Sequence, residues 1–257
     1  MTETDLIYSR DEAIAHITIN REAHRNAISG QAVRLFLDYL DRAENNPAVR
    51  VVCITGAGNR VFCSGADLGG DMATAGAADM FQSYARLLTR LYQFPKPTVA
   101  RINGHCLAGG TGFMLACDMV IAREDVLFGT PEVNVGLFPM MIGALIFRNV
   151  LRKKAMEMIL MGEKLTAKQA LDMGMITRMV PKESFDNEVD KVLSALAAKS
   201  PIGLALGKKA FNAVEGMELG EAVNHLSDQL AKVATTKDAT EGITAFLEKR
   251  KPVFTGE

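Results

Sequence analysis

Apolar and polar side chains alternate through Ala13-Ile14-Ala15-His16-Ile17-Thr18-Ile19-Asn20, and a period of two with β-branched residues predicts a strand. Leu6-Ile7-Tyr8 is its expected hairpin partner, across Arg10-Asp11-Glu12. The period then changes. Ser29 has the chemistry of an N-cap, and Val33, Leu35, Phe36, Leu37 and Leu40 supply the apolar face of a helix running to about Glu44. A strand is expected from Arg50 to Thr55, a helix near Met80–Phe94 and a strand near Thr98–Ile102. A second helix should start in the glycine cluster after Ile102, followed by a strand near Met119–Ala122. Between the first of these strands and its helix, Gly69 to Ala78 is rich in Gly and Ala, holds little to pack with, and is expected to be mobile.

Strand alternating with helix predicts an α/β chain with largely parallel pairing. From about Ile142 the pattern is helical apart from a short strand at Ile176–Val180. Pro201 after Ser200 fits the first position of a helix, and helices continue to Lys249. The expected division is therefore an α/β body over 1–199 and an all-helical region over 200–257. The helical region carries apolar faces (Leu204, Leu206, Phe211 and Val214; Leu226, Leu230 and Val233; Ile243, Phe246 and Leu247). They have two possible partners, the body itself or another subunit, and the pattern does not choose.

Composition narrows the classes. A chain of 257 residues can bury a large core. Its 29 Lys and Arg against 30 Asp and Glu leave a net charge of −1, with no charged tail, which argues against a broad nucleic-acid or membrane-surface footprint. Cys53, Cys63, Cys106 and Cys117 lie in apolar or motif segments without metal-ligand spacing, so they read as free buried thiols and no metal is expected. The acidic start Met1-Thr2-Glu3-Thr4-Asp5 has no secretory character, and no apolar run is long enough to span a bilayer. A cytoplasmic protein is the expectation.

The candidate chemistry sits in two glycine-bearing loops and one carboxylate. Phe62-Cys63-Ser64-Gly65-Ala66-Asp67-Leu68 follows one strand, and Ile102-Asn103-Gly104-His105-Cys106-Leu107-Ala108-Gly109-Gly110-Thr111-Gly112 closes another. Glu132 stands in Phe128-Gly129-Thr130-Pro131-Glu132. Small residues at loop-to-helix junctions let two backbone N–H groups converge on one developing oxyanion. Nucleotide folds fit poorly. Thr55-Gly56-Ala57-Gly58-Asn59 lacks the third glycine of a dinucleotide fingerprint, whose place is Val61, and the second cluster lacks the Gly-Lys-Ser/Thr ending of a P-loop.

These segments, with Arg25-Asn26-Ala27, Cys117-Asp118 and the closing run Glu241-Gly242-Ile243-Thr244-Ala245-Phe246-Leu247-Glu248-Lys249-Arg250-Lys251, resemble the crotonase superfamily, the enoyl-CoA hydratase/isomerase group, nearly end to end. The resemblance implies a spiral of ββα units with a helical C-terminal trimerisation region, forming a homotrimer or a dimer of trimers. It implies an acyl thioester of coenzyme A as substrate, with coenzyme A entering as part of the substrate and no separate cofactor. By position it implies an oxyanion hole from the N–H groups of Ala66 and Gly109, Glu132 as acid/base, and thioester contacts from Arg25, Ser64, Asp67, Leu68 and Lys249. Asp67 also reads as a structural residue of its loop, and Lys249 as a solvated charge.

Two departures shape the expected reaction. Hydratases of this group use two glutamates, and the first of those places is here Gly112. A positioned acid/base typically contributes about 10²–10⁴ in rate, so efficient two-glutamate hydration is not expected. One carboxylate suffices to move a proton from the α- to the γ-carbon of a 3-enoyl thioester, and that isomerisation is the favoured expectation. A hydratase working with Glu132 alone, or borrowing Asp67 or Asp71, is the second reading. A binding protein without efficient catalysis is the third. The place of the extra acid in diene isomerases falls near Met140, which disfavours that reaction, and the basic residue often found after the Gly-Ala-Asp motif is here Gly69. Val133, Val135, Leu137, Phe138, Met140 and Met141 are equally an apolar wall around Glu132 or ordinary core. Phe138-Pro139-Met140-Met141-Ile142-Gly143 predicts an unusual acyl pocket.

Overall fold

The computed structural model describes residues 4–67 and 77–257. The expectations placed on Leu68, Gly69, Asp71 and the Gly/Ala-rich stretch up to residue 76 lie outside the described residues. The opening hairpin forms as the alternation predicts: β1 (Leu6–Asp11) pairs antiparallel with β2 (Ile14–Ile19), Leu6 opposite Ile19. Ser29 caps α1 (Gly30–Asn45) by accepting the Ala32 N–H at 3.0 Å, and Val33, Phe36 and Leu40 are the buried stripe.

The chain then makes one move repeatedly: a strand, a short strand, and a helix. The first unit is β3 (Val51–Gly56), β4 (Val61–Cys63) and α2 (Ala77–Tyr92). The second is β5 (Thr98–Ile102), β6 (His105–Leu107) and α3 (Gly109–Ala116). The third is β7 (Met119–Arg123), β8 (Leu127–Gly129) and α4 (Met140–Asn149), with a 3₁₀ turn at Pro131–Val135 before the helix. After α5 (Arg152–Met161) come β9 (Leu165–Thr166), α6 (Ala167–Asp172) and β10 (Arg178–Val180). The last four helices are α7 (Phe185–Ala197), α8 (Pro201–Ala213), α9 (Leu219–Ala234) and α10 (Lys237–Leu247).

The long strands form a six-stranded sheet in the order β1-β2-β3-β5-β7-β10, and the short ones a four-stranded sheet in the order β4-β6-β8-β9. β2, β3, β5, β7 and β10 run parallel. β3 is apolar at successive positions because both its faces are covered. Val52 and Ile54 join the core between the sheets and helices, while Val51 and Cys53 meet Phe185, Val189 and Leu193 of α7. Residues 176–177 precede β10, so that strand is shorter than expected. β4, β6 and β8 have three residues each, too few for a period to register in the sequence. They place the site: β4 and β6 pair in parallel, as do β6 and β8, so the three segments that follow them emerge side by side.

Ser200 caps α8 by accepting the Gly203 N–H at 3.0 Å, with Pro201 in the first turn as predicted. None of the apolar residues singled out on α8–α10 is buried. Phe211, Leu230, Ile243, Phe246 and Leu247 are 62–81% exposed.

Candidate active site

The segment after β4 is locked from below. Ile28 N–H donates to the Gly65 carbonyl at 2.8 Å and Asp67 N–H donates to the Ile28 carbonyl at 3.0 Å, which holds Ala66 between two fixed peptides. Arg21 reinforces the clamp, donating to the Ala27 carbonyl at 2.5 Å and to the Asp67 carboxylate at 2.8 Å, and pairing with Asp5. Asn26, fully buried, ties the same region to the carbonyls of Ala57 and Val61. Gly65 has φ +103°, and a Cβ there would stand 2.7 Å from the Ala108 Cβ and 3.1 Å from the Gly109 nitrogen. The residue has to be glycine for the two loops to close on each other.

The segment after β6 enters α3 through Ala108, whose φ of 51° and ψ of −130° are costly for a residue with a Cβ. Two bonds hold it there: Ala108 N–H donates to the Gly129 carbonyl at 2.9 Å, and Thr111 N–H to the Ala108 carbonyl at 2.9 Å. Gly109 then opens α3, where N–H groups have no intrahelical acceptor and the helix dipole is positive. An ideal Cβ on Gly109 would lie 3.6 Å from the Ala66 nitrogen. Among the described residues neither the Ala66 nor the Gly109 N–H has an acceptor. The structure thus brings together two unspent donors from loops far apart in sequence.

Glu132 sits in the 3₁₀ turn that follows β8, three residues beyond the Gly129 carbonyl that anchors Ala108 and accepts from the Thr111 hydroxyl at 3.2 Å. Its Oε2 is buried and, among the described residues, has no hydrogen-bond partner. Burial raises its pKa above the ordinary carboxylate value, and its own backbone N–H opposes only part of that. The apolar residues that follow it are mostly not core. Val135, Leu137, Phe138 and Met140 are exposed, Val133 turns toward Gly162, and only Met141 packs on the core. Val135 ends the 3₁₀ turn, Leu137 and Phe138 lie in the loop after it, and Met140 opens α4.

Gly112 is not an empty place. A Cβ there would collide with Ile142 Cγ2 and meet the Tyr84 hydroxyl at 3.0 Å and Leu88 Cδ2 at 3.3 Å. Tyr84 went unmarked in the sequence because it falls on the apolar stripe of α2 with Met80, Leu87, Leu88 and Leu91, where a tyrosine reads as core.

The remaining candidates are scattered. Ser64 is half-buried, in the loop beside Gly65. Arg25 is exposed and lines a cavity of about 800 Å³ with Asn59, Arg60, Val61 and His105. Those residues stand at the beginnings of β4 and β6, the opposite ends from Ala66 and Gly109. Lys249 is exposed beyond the end of α10, and among the described residues its side chain makes no ion pair. All four cysteines are free. No cluster of three or more His, Cys, Asp or Glu side chains suited to a metal occurs among the described residues.

The enoyl-CoA hydratase/isomerase family model matches residues 9–257. The 2,3-dehydroadipyl-CoA hydratase of Escherichia coli is 33% identical over 98% of this chain and 99% of its own length. The structure of an enoyl-CoA hydratase from Bacillus anthracis superposes with a TM-score of 0.94 at 28% identity, over 98% of this chain and all of that one. Human enoyl coenzyme A hydratase domain-containing protein 3 gives a TM-score of 0.93 at 30% identity, over 97% of this chain and all of that one. With repeated ββα units, a helical C-terminal region and these likenesses along its whole length, the chain belongs to the enoyl-CoA hydratase/isomerase family of the crotonase superfamily.

Proposed function

We propose that this enzyme moves the double bond of a 3-enoyl thioester of coenzyme A to the 2-position, with Glu132 as its single acid/base. The observation that carries this reading is the pair of contrasting places beside α3. Glu132 presents a buried carboxylate oxygen without a partner among the described residues, while the space at Gly112 is filled by Ile142, Tyr84 and Leu88. A second water-holding carboxylate has no room there.

The Glu132 carboxylate takes a proton from C2, and the electron pair left behind spreads onto the thioester oxygen through the adjacent carbonyl and onto C4 through the double bond. The N–H groups of Ala66 and Gly109 hold that oxygen more strongly as it becomes negative than in the neutral carbonyl, each contributing roughly 3–4 kcal/mol. The protonated Glu132 returns its proton to C4, and the double bond comes to rest between C2 and C3. Burial of Glu132 suits both halves, since it makes the carboxylate a stronger base and keeps the acid form accessible. Asp67, held by Arg21, is engaged in the loop clamp and does not supply the second acid. Ser64 and Lys249 stay assigned to thioester binding, Lys249 toward the phosphates. A homotrimer or dimer of trimers would cover the exposed apolar face of α8–α10, and four free thiols fit a reducing compartment such as the cytoplasm.

The likeness to a hydratase supports a second reading, water addition with Glu132 alone. Proton NMR in D₂O separates the two. With 3-hexenoyl-CoA, isomerisation gives 2-hexenoyl-CoA, with negligible hydration of that product or of added crotonyl-CoA. Rapid formation of 3-hydroxyacyl-CoA would instead establish the hydratase. No change in either thioester would sink both readings and leave a binding role.

A further inference from the structure

Tyr84 is 8% exposed, and its hydroxyl donates to the Gly109 carbonyl at 2.5 Å. A buried tyrosine hydroxyl needs an acceptor, and many carbonyls could serve. Here the acceptor belongs to the very residue whose N–H faces Ala66. The same hydroxyl lies 3.1 Å from an ideal Cβ on Gly109 and 3.0 Å from one on Gly112, so it spans the first turn of α3. The ring has little freedom. It stands edge-on to Phe113 at 5.4 Å, and Phe113 is stacked on Phe36 at 5.1 Å. Burial, with the Cys63 and Cys106 thiols and the Glu132 charge nearby, holds the hydroxyl protonated and therefore a donor.

We propose that Tyr84 is a positioning residue for the oxyanion hole: its hydroxyl, fixed over Gly112, pins the Gly109–Gly110 peptide and with it the first turn of α3, so that the Gly109 N–H on the other side of the same Cα converges with the Ala66 N–H on one thioester oxygen. The inference rests on the oxyanion reading above but not on isomerisation, since any enolate chemistry at this site would use the same convergence. α2, which brings Tyr84, thereby becomes part of the site.

The test is Tyr84→Phe in the full chain, which removes one oxygen and keeps the ring stack. Displacing a catalytic donor by a fraction of an ångström to an ångström should lower kcat by about 10–100-fold, with KM changed less than about twofold. The direct readout is the infrared difference spectrum of the thioester carbonyl of bound crotonyl-CoA, which needs no turnover. In the wild type the carbonyl stretch should fall below that of the free ligand, and in Tyr84→Phe it should move back toward it. A full carbonyl shift and unchanged kcat in the variant would overturn the role of Tyr84 and leave the oxyanion hole standing. No shift in the wild type would overturn both. A structural role alone would lower the unfolding temperature without restoring the free carbonyl frequency in protein that remains folded. Fluorine NMR of chain carrying 3-fluorotyrosine at its four tyrosines gives an independent reading without a variant. One resonance should move when crotonyl-CoA binds, and the absence of any change would also overturn the proposal.

Discussion

Glu132 carries opposing demands in one carboxyl. Its buried oxygen, without a partner among the described residues, destabilises the charged form, and the charged form is what removes a proton. Glu132→Gln should reduce double-bond migration by about 10²–10⁴-fold while binding is retained, read from kcat and KM with 3-hexenoyl-CoA. In the wild type kcat should fall as pH drops through the raised pKa of Glu132, above the usual carboxylate range. The stability effect has the opposite sense. A carboxyl whose folded pKa lies above its unfolded value stabilises the protonated fold at low pH, and that contribution is lost as pH rises through the folded pKa. Thermal melts should therefore show Glu132→Gln gaining on the wild type as pH rises from the ordinary carboxylate range through the raised pKa of Glu132. Gly112→Glu tests the neighbouring place. Its Cβ collides with Ile142, so the expected result is a loss of about 1–3 kcal/mol in denaturant unfolding and no gain in hydration of crotonyl-CoA.

At the scale of elements, the site is a meeting of segment ends. The short parallel strands β4, β6 and β8 deliver the Ala66 loop, the Gly109 helix start and the Glu132 turn to one side of the small sheet. α2 closes over them through Tyr84 and Leu88. The helical region has its own fastening. Asp238, 2% exposed, accepts from the Ser200 hydroxyl at 2.7 Å and from the N–H groups of Thr255 and Gly256 at 2.8 and 3.1 Å, tying the start of α8 to the chain end. Burial alone would raise its pKa, but these bonds and the nearby Arg50 outweigh it and hold the carboxyl below the ordinary value. Such a group stabilises the fold above its unfolded pKa, and the contribution is lost as pH falls through the folded one. Asp238→Asn should therefore lower the unfolding midpoint at pH 7, with the gap to the wild type closing as pH is lowered through the acid transition.

At the scale of the whole molecule, α8–α10 leave Phe246 81%, Leu247 73% and Phe211 67% exposed, a larger apolar face than an isolated chain keeps in water. The body does not cover it, so a second copy is the expected cover. Sedimentation should give a trimer or a multiple of it, and Phe246→Glu should shift the mass toward the 27.8 kDa of one chain. Retention of the full assembly in Phe246→Glu would place the interface elsewhere.

Legibility followed the range of the interactions. The β1–β2 hairpin, the Ser29 and Ser200 caps and the existence of strand β3 rest on neighbouring residues or on local periods, and the sequence alone determined them. The family, the loops around Ala66 and Gly109, and Glu132 as the candidate base were legible as motifs in order. Three-residue strands carry no period, so only the tertiary structure showed that repeated ββα units build a second sheet. The sequence also could not show that Val135, Leu137, Phe138 and Met140 are exposed, because an apolar run reads alike whether a loop and helix start bury it or leave it on the surface. It also hid the filling of Gly112. A missing side chain shows in a sequence as an empty position, but a close-packed interior fills every space, here with Ile142 of α4 and with Tyr84 and Leu88 of α2.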